Sequence, residues 1–110
     1  MVKYTTPTIH LIVEGVDITD KDIYVTLEQG NIELSKTGSD LTVTAITEEQ
    51  NTDTDITFVL TQEETGQLNP CRNVMIQVNW IASNGVRAAT EIKAIGVMQN
   101  LLDEVIDYGN

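Results

Sequence analysis

The sequence predicts an all-β protein, an immunoglobulin-like antiparallel β-sandwich of about seven strands carrying one short helical turn and a short C-terminal helix. Two observations lead there. Apolar side chains recur at every second position around Ile23, Val25 and Leu27, around Ile56, Phe58 and Leu60, and around Val74, Ile76, Val78 and Trp80, the period of a strand with one buried face. Turn residues separate these runs at short intervals, at Gly30-Asn31, at residues 36–40 (KTGSD) and at Asn84-Gly85, which leaves little room for crossover helices between parallel strands. The 110 residues make one domain, long enough to bury roughly two-thirds of the unfolded surface.

In chain order, residues 1–6 read as a loose leader and Pro7 sits where a missing N–H costs least. Residues 8–14 form a first strand and residues 15–22 (GVDITDKD) a polar connection. The next strand points Ile23, Val25 and Leu27 inward and Tyr24, Thr26 and Glu28 outward. Glycine first in Gly30-Asn31 suits a II′ turn, which sets Leu27 opposite Leu34. A loop at residues 36–40 would then align Leu34 with Val43 and Ile32 with Ala45, making a three-stranded meander. Residues 47–55 (TEEQNTDTD) hold no apolar side chain and read as an exposed loop. After the strand through Ile56, Phe58 and Leu60, Thr61 and Glu64 form a capping box, so a helical turn follows and Gly66 ends it.

Residues 74–97 organise the rest. A two-residue turn at Asn84-Gly85 would point Glu91 and Lys93 into the core, because a shift of one residue swaps the faces of a strand. A three-residue loop, Ser83-Asn84-Gly85 with Gly85 left-handed, instead pairs Trp80 with Ala88, Val78 with Thr90 and Ile76 with Ile92. Asn79, Gln77, Glu91 and Lys93 then share the wetter face, and the sandwich closes over Trp80. Residues 98–110 make a short helix and tail, with Leu101, Leu102, Val105 and Ile106 on one helical face. So short a helix needs something to dock against, its own domain or another subunit.

Six basic against seventeen acidic residues give a net charge of -11, which repels nucleic-acid phosphates and anionic membranes. The apolar run near the start, residues 9–13, is too short for a signal peptide or a membrane span. The expectation is a protein with no nucleic-acid or membrane partner. Cys71 is the only cysteine, so no internal disulfide is possible and no Cys/His set has zinc spacing.

The residues that could carry chemistry have plainer readings. His10 is the only histidine, without partners near it in sequence, and reads as an outward or edge residue. Cys71 lacks a nucleophile's signature and reads as a small half-buried residue beside a strand start. Asn51, Asp53 and Asp55 copy the opening of a calcium loop, but Ile56 replaces the turn glycine and Gln62 the bidentate glutamate. They stand as weak calcium candidates in a solvated loop, and Asp17, Asp20 and Asp22 as a second acidic cluster. Trp80 alternates with core residues and reads as core. Tyr4, Tyr24 and Tyr108 are the remaining exposed aromatics, too few for a binding strip. No cofactor and no catalytic residue is expected.

The segments IYVTLEQG (residues 23–30), LSKTGSDLTV (34–43), LTQEET (60–65) and VMIQVNW (74–80), with LLDEVI near the end, resemble small immunoglobulin-like proteins encoded among the tail and baseplate structural genes of phages and prophages of Gram-positive bacteria. Residues 47–55 are longer here than the equivalent connection. The resemblance implies a noncatalytic structural or accessory protein of a phage particle, tail or baseplate associated. It implies other phage structural proteins as partners, a homo-oligomer, and a location in the virion or in the host cytoplasm before assembly. Contacts would fall on the first strand, the last strand and the C-terminal helix, with Leu101, Leu102, Val105 and Ile106 as the interaction residues. The alternative from another class is a carbohydrate or cell-surface binding module with the same fold.

Overall fold

The structure is a computed structural model that describes residues 1–107. Their strands are β1 (Thr8–Val13), β2 (Asp22–Gln29), β3 (Ile32–Thr37), β4 (Thr42–Glu48), β5 (Asn51–Val59), β6 (Asn73–Ile81), β7 (Arg87–Ala89) and β8 (Lys93–Gly96), with one helix, α1 (Gln62–Gly66), between β5 and β6. They form two antiparallel sheets. One has the order β1-β5-β4, and the other β3-β2-β6-β7, with β8 also paired to β6.

The core lies between the sheets because the period-2 pattern puts aliphatic side chains on both inner faces. Ile23, Val25 and Leu27 stand opposite Trp80, Val78 and Ile76, and Ile9, Val13, Ile56 and Phe58 of the smaller sheet belong to the same buried cluster. Burying each such side chain stabilises the fold by about 1.5–3 kcal/mol. Trp80 is only half-buried at the margin of this cluster. The expectation that the sandwich closes over Trp80 is corrected: its centre is Val25, Ile56 and Val74, all fully buried, because β6 ends one residue after the indole.

Local chemistry sets two hairpins as expected. Gln29 pairs with Ile32 across Gly30-Asn31, Leu27 stands opposite Leu34, and Gly30 alone of the two turn residues takes a positive φ, 59°. At the tip of β6, Ala82 N–H donates to Val86 O and Gly85 N–H to Ala82 O, with Gly85 left-handed at φ 89°. Trp80 therefore faces Ala88. Thr90 continues the register by accepting from Val78 N–H at Oγ1 and donating its own N–H to Val78 O.

Four elements differ from the sequence reading. β4 does not join β3: Thr37 and Asp40 close a tight capped turn over residues 38–40 that breaks the strand. β4 then crosses to the other sheet, where Val43 faces Ile56 and Ala45 faces Thr54. Residues 47–55 are not a loop but the tip of the β4–β5 hairpin, turning at Glu49-Gln50 with Glu49 at φ 56°. Between β7 and β8 one extra residue intrudes, so Ile76 faces Lys93 and not Ile92. Lys93 accordingly leaves the face it was expected to share with Gln77 and Asn79. Residues 98–107 form no helix. Asn100 Oδ1 takes the Leu102 N–H, a local bond that competes with the helical one.

Residues 1–6 are tied down rather than loose. Val2 bridges Met98 in parallel, Lys3 N–H donates to Met98 O, and Met98 N–H donates to Met1 O. The capping box forms as expected, Thr61 Oγ1 accepting from Glu64 N–H and Glu64 accepting from Thr61 N–H. Gly66, however, is the last helical residue without a left-handed backbone. No helix among the described residues is long and apolar enough to cross a membrane.

Candidate interaction surface

The smaller sheet presents Thr8, His10 and Ile12 of β1 and Asn51, Asp53, Asp55, Thr57 and Val59 of β5 on its outer face, since their alternates Ile9, Val13, Thr54, Ile56 and Phe58 are buried. His10 thus points outward, where its Nε2 pairs with Asp55 Oδ1. The calcium candidates Asn51, Asp53 and Asp55 stand along one extended strand instead of encircling a point. Asp53 Oδ1 accepts from Gly15 N–H and so is a clasp between β5 and the β1–β2 connection. Among the described residues no group of three or more His, Cys, Asp or Glu side chains could hold a metal ion.

That connection also hides a residue the sequence reading passed over. Thr54, fully buried, accepts at Oγ1 from Ile18 N–H at 3.0 Å and donates to Val16 O at 2.8 Å, which seats Ile18 in the core. A threonine in the alternating register of Ile56 and Phe58 was the available signal. Of the second acidic cluster, Asp20 pairs with Lys21. Asp17 accepts from the Thr19 hydroxyl and N–H, bonds that hold its carboxyl below the usual range.

Cys71 is exposed, not half-buried, with a left-handed backbone at φ 65°. Its N–H donates to Val97 O, which fixes the turn into β6. Tyr4 is half-buried against α1, with the Lys3 ammonium 5.4 Å from its ring centroid. Tyr24 is exposed at 47%, and Tyr108 lies outside the described residues.

The tail that was expected to be a helix carries its apolar residues in the open: Leu101, Leu102, Val105 and Ile106 are all exposed, Leu101 completely. It is nevertheless held across α1. Gln62 Nε2 donates to Ile106 O, Ile106 N–H donates to Gln62 Oε1, and Asn100 Nδ2 donates to Lys3 O.

Among the described residues five strands have one edge without a ladder, and their protection differs. β3 carries Glu33 and Lys36, and the outer edge of β6's partners is broken into short β7 and β8, headed by Arg87 and Lys93. β4 ends at Glu48 beside Glu49. β1, TIHLIV, is unbroken and carries no acidic or basic side chain other than His10. In a chain of seventeen acids the first stands at Glu14, so none precedes or lies on this edge. No protein-family model matches the chain, and no curated protein or solved structure matches it either.

Proposed function

We propose that this is a noncatalytic structural or accessory protein of a phage or prophage particle, tail or baseplate associated, acting through protein–protein contacts of an immunoglobulin-like sandwich. Such sandwiches place strands A, B, E and D in one sheet and C, F and G in the other. With β1 as B, β2 as C, β3 as an added C′, β4 as D, β5 as E, β6 as F and β7 with β8 as a broken G, both sheet orders follow. Among the described residues no strand fills the place of A, beside β1.

The observation that carries the reading is this bare edge. Soluble proteins blunt exposed edges with charge, proline or bulges, and an unblunted one is a template for another chain. A second copy meets little electrostatic resistance from β1 itself, which carries no carboxylate, although Glu91 and Lys93 line the crevice beside Leu11, Ile12 and Val13. The resemblance of residues 23–30, 34–43, 60–65 and 74–80 to phage structural proteins supplies the proposed setting.

Light scattering on the purified protein tests the assembly. An oligomer is expected for the unaltered chain and a monomer for Ile12→Lys, whose new ammonium would stand beside Asp55 on the outer face and block edge pairing. A monomeric unaltered chain, or an unchanged oligomer in the variant, overturns it. For the setting, mass spectrometry of purified particles from the source culture should find the protein at structural stoichiometry, and its absence from them refutes a virion role.

A further inference from the structure

The outer face of the larger sheet has a chemistry that assembly through β1 does not use. No acidic residue occurs between Glu64 and Glu91, although the chain averages about one in every six or seven residues. That stretch builds β6 and β7, and with β2 it lines an open depression of about 380 Å³ formed by Tyr24, Thr26, Asn79, Trp80, Ile81 and Arg87, within the size range of small-ligand sites.

The polar groups there are arranged. Arg87 Nε and Nη2 both donate to Asn79 Oδ1, at 3.3 and 3.0 Å, which fixes the guanidinium over the sheet and leaves its remaining N–H groups as donors. The same bonds turn Asn79 so that Nδ2 is also a donor. Among the described residues Arg87 forms no ion pair with a carboxylate, unlike Lys3, Lys21 and Lys36. Tyr24, level with Asn79 on the neighbouring strand, adds a half-exposed ring and a hydroxyl, and Thr26 a second hydroxyl. Asp22, in the row of Ile81 and Arg87, lines a neighbouring depression that shares Tyr24 and is not part of this lining.

We infer that this depression binds the carboxylate of an acidic saccharide, with Arg87 and Asn79 on the carboxylate and Tyr24 against the sugar ring. Guanidinium groups match carboxylates in charge and planar geometry. A neutral sugar is the poorer fit because the carboxylates that would accept from its hydroxyls are missing from the lining. The net charge of -11 does not forbid it, since at physiological ionic strength charges more than about 8 Å away are largely screened and the local donors decide.

Isothermal titration calorimetry, not fluorescence, reads occupancy, because Trp80, the only tryptophan, stands in the inward row opposite Ile23 and Ala88. Titration with oligogalacturonate should give a saturable change, and neutral galacto-oligosaccharide or polyglutamate should not. Arg87→Ala should weaken binding by about tenfold or more, Arg87→Lys should recover part of the loss because charge returns without the fork, and Tyr24→Ala should weaken it independently. No saturable change, an equal response to the neutral sugar or to polyglutamate, or unaltered binding by natively folded Arg87→Ala overturns the inference. None of these outcomes depends on the oligomeric state.

Discussion

The Tyr4 ring occupies the space a side chain at residue 66 would need. A Cβ built on Gly66 would fall 2.7 Å from Tyr4 Cδ1 and closer still to Cε1. Tyr4 cannot swing aside freely, because the backbone on both sides of it is held, by Lys3 N–H on Met98 O and by the Thr65 hydroxyl on Thr5 O.

Gly66→Ala is therefore expected to destabilise the protein by about 1–3 kcal/mol. In an unobstructed helix the same change would stabilise it by about 1 kcal/mol. Urea denaturation reads the difference. In Tyr4→Ala the penalty at residue 66 should shrink or reverse, since the two sites are in contact and their effects do not add.

Thr54→Val keeps the shape of the side chain but leaves the Ile18 N–H and the Val16 carbonyl without their partner. A loss of about 2–3 kcal/mol is expected, the cost of a buried donor left unmade. Thr54→Ser retains both bonds and gives up one buried methyl, about 1 kcal/mol. Thermal melts in which valine is tolerated better than serine would contradict the clasp.

Glu64 makes the α1 cap sensitive to acid. Burial alone pushes its carboxyl up, but the Lys36 ammonium at 2.8 Å and the Thr61 N–H bonded to it outweigh this and hold it below the ordinary 4.5. A carboxyl lowered in the folded state binds its proton more readily when unfolded. Its contribution is thus complete above 4.5 and lost as the pH falls through the folded value. Chemical denaturation across that window should show Glu64→Gln already weakened at neutral pH and flatter in its acid response than the unaltered chain.

Removing the residues after Gln99 deletes Leu101, Leu102, Val105 and Ile106, which are exposed, along with the Gln62–Ile106 bonds. The core contains none of them, so the melting temperature should fall by only a few degrees, whereas the oligomer order seen by light scattering should drop if the tail supplies contacts between copies. Retention of both would leave the tail without a role in assembly.

These elements also mark what the sequence could reveal. The Leu27–Leu34 and Trp80–Ala88 registers and the Thr61–Glu64 box were legible because a turn of fixed length or a cap of fixed spacing decides them within a few residues. The sheet to which β4 belongs was not, since alternation says which side chains turn inward and nothing about which strand lies alongside. Residues 51–55 were hidden by composition: Thr54 does the work of an aliphatic residue in the buried row while carrying a hydroxyl. The bulge before Lys93 was invisible because the regular register also looked satisfactory, with Ile92 facing Ile76. Of the candidate interaction surface, the apolar residues of the tail could be read directly, but their extended path across α1 depends on Gln62, far away in sequence. The Arg87–Asn79 contact was not read from the hairpin, whose register sets Arg87 opposite Ile81 and leaves Asn79 on the diagonal.

The interruption between β7 and β8 reaches beyond the pair it offsets. It leaves the larger sheet with a margin of two stubs, three and four residues long, neither able to seed a long ladder. Deleting Ile92 would splice them into one continuous border, with Lys93 taking the place opposite Ile76 without the offset. The molecule would then have a second open ladder, and copies joined by the proposed pairing through β1 would be free to grow into fibres.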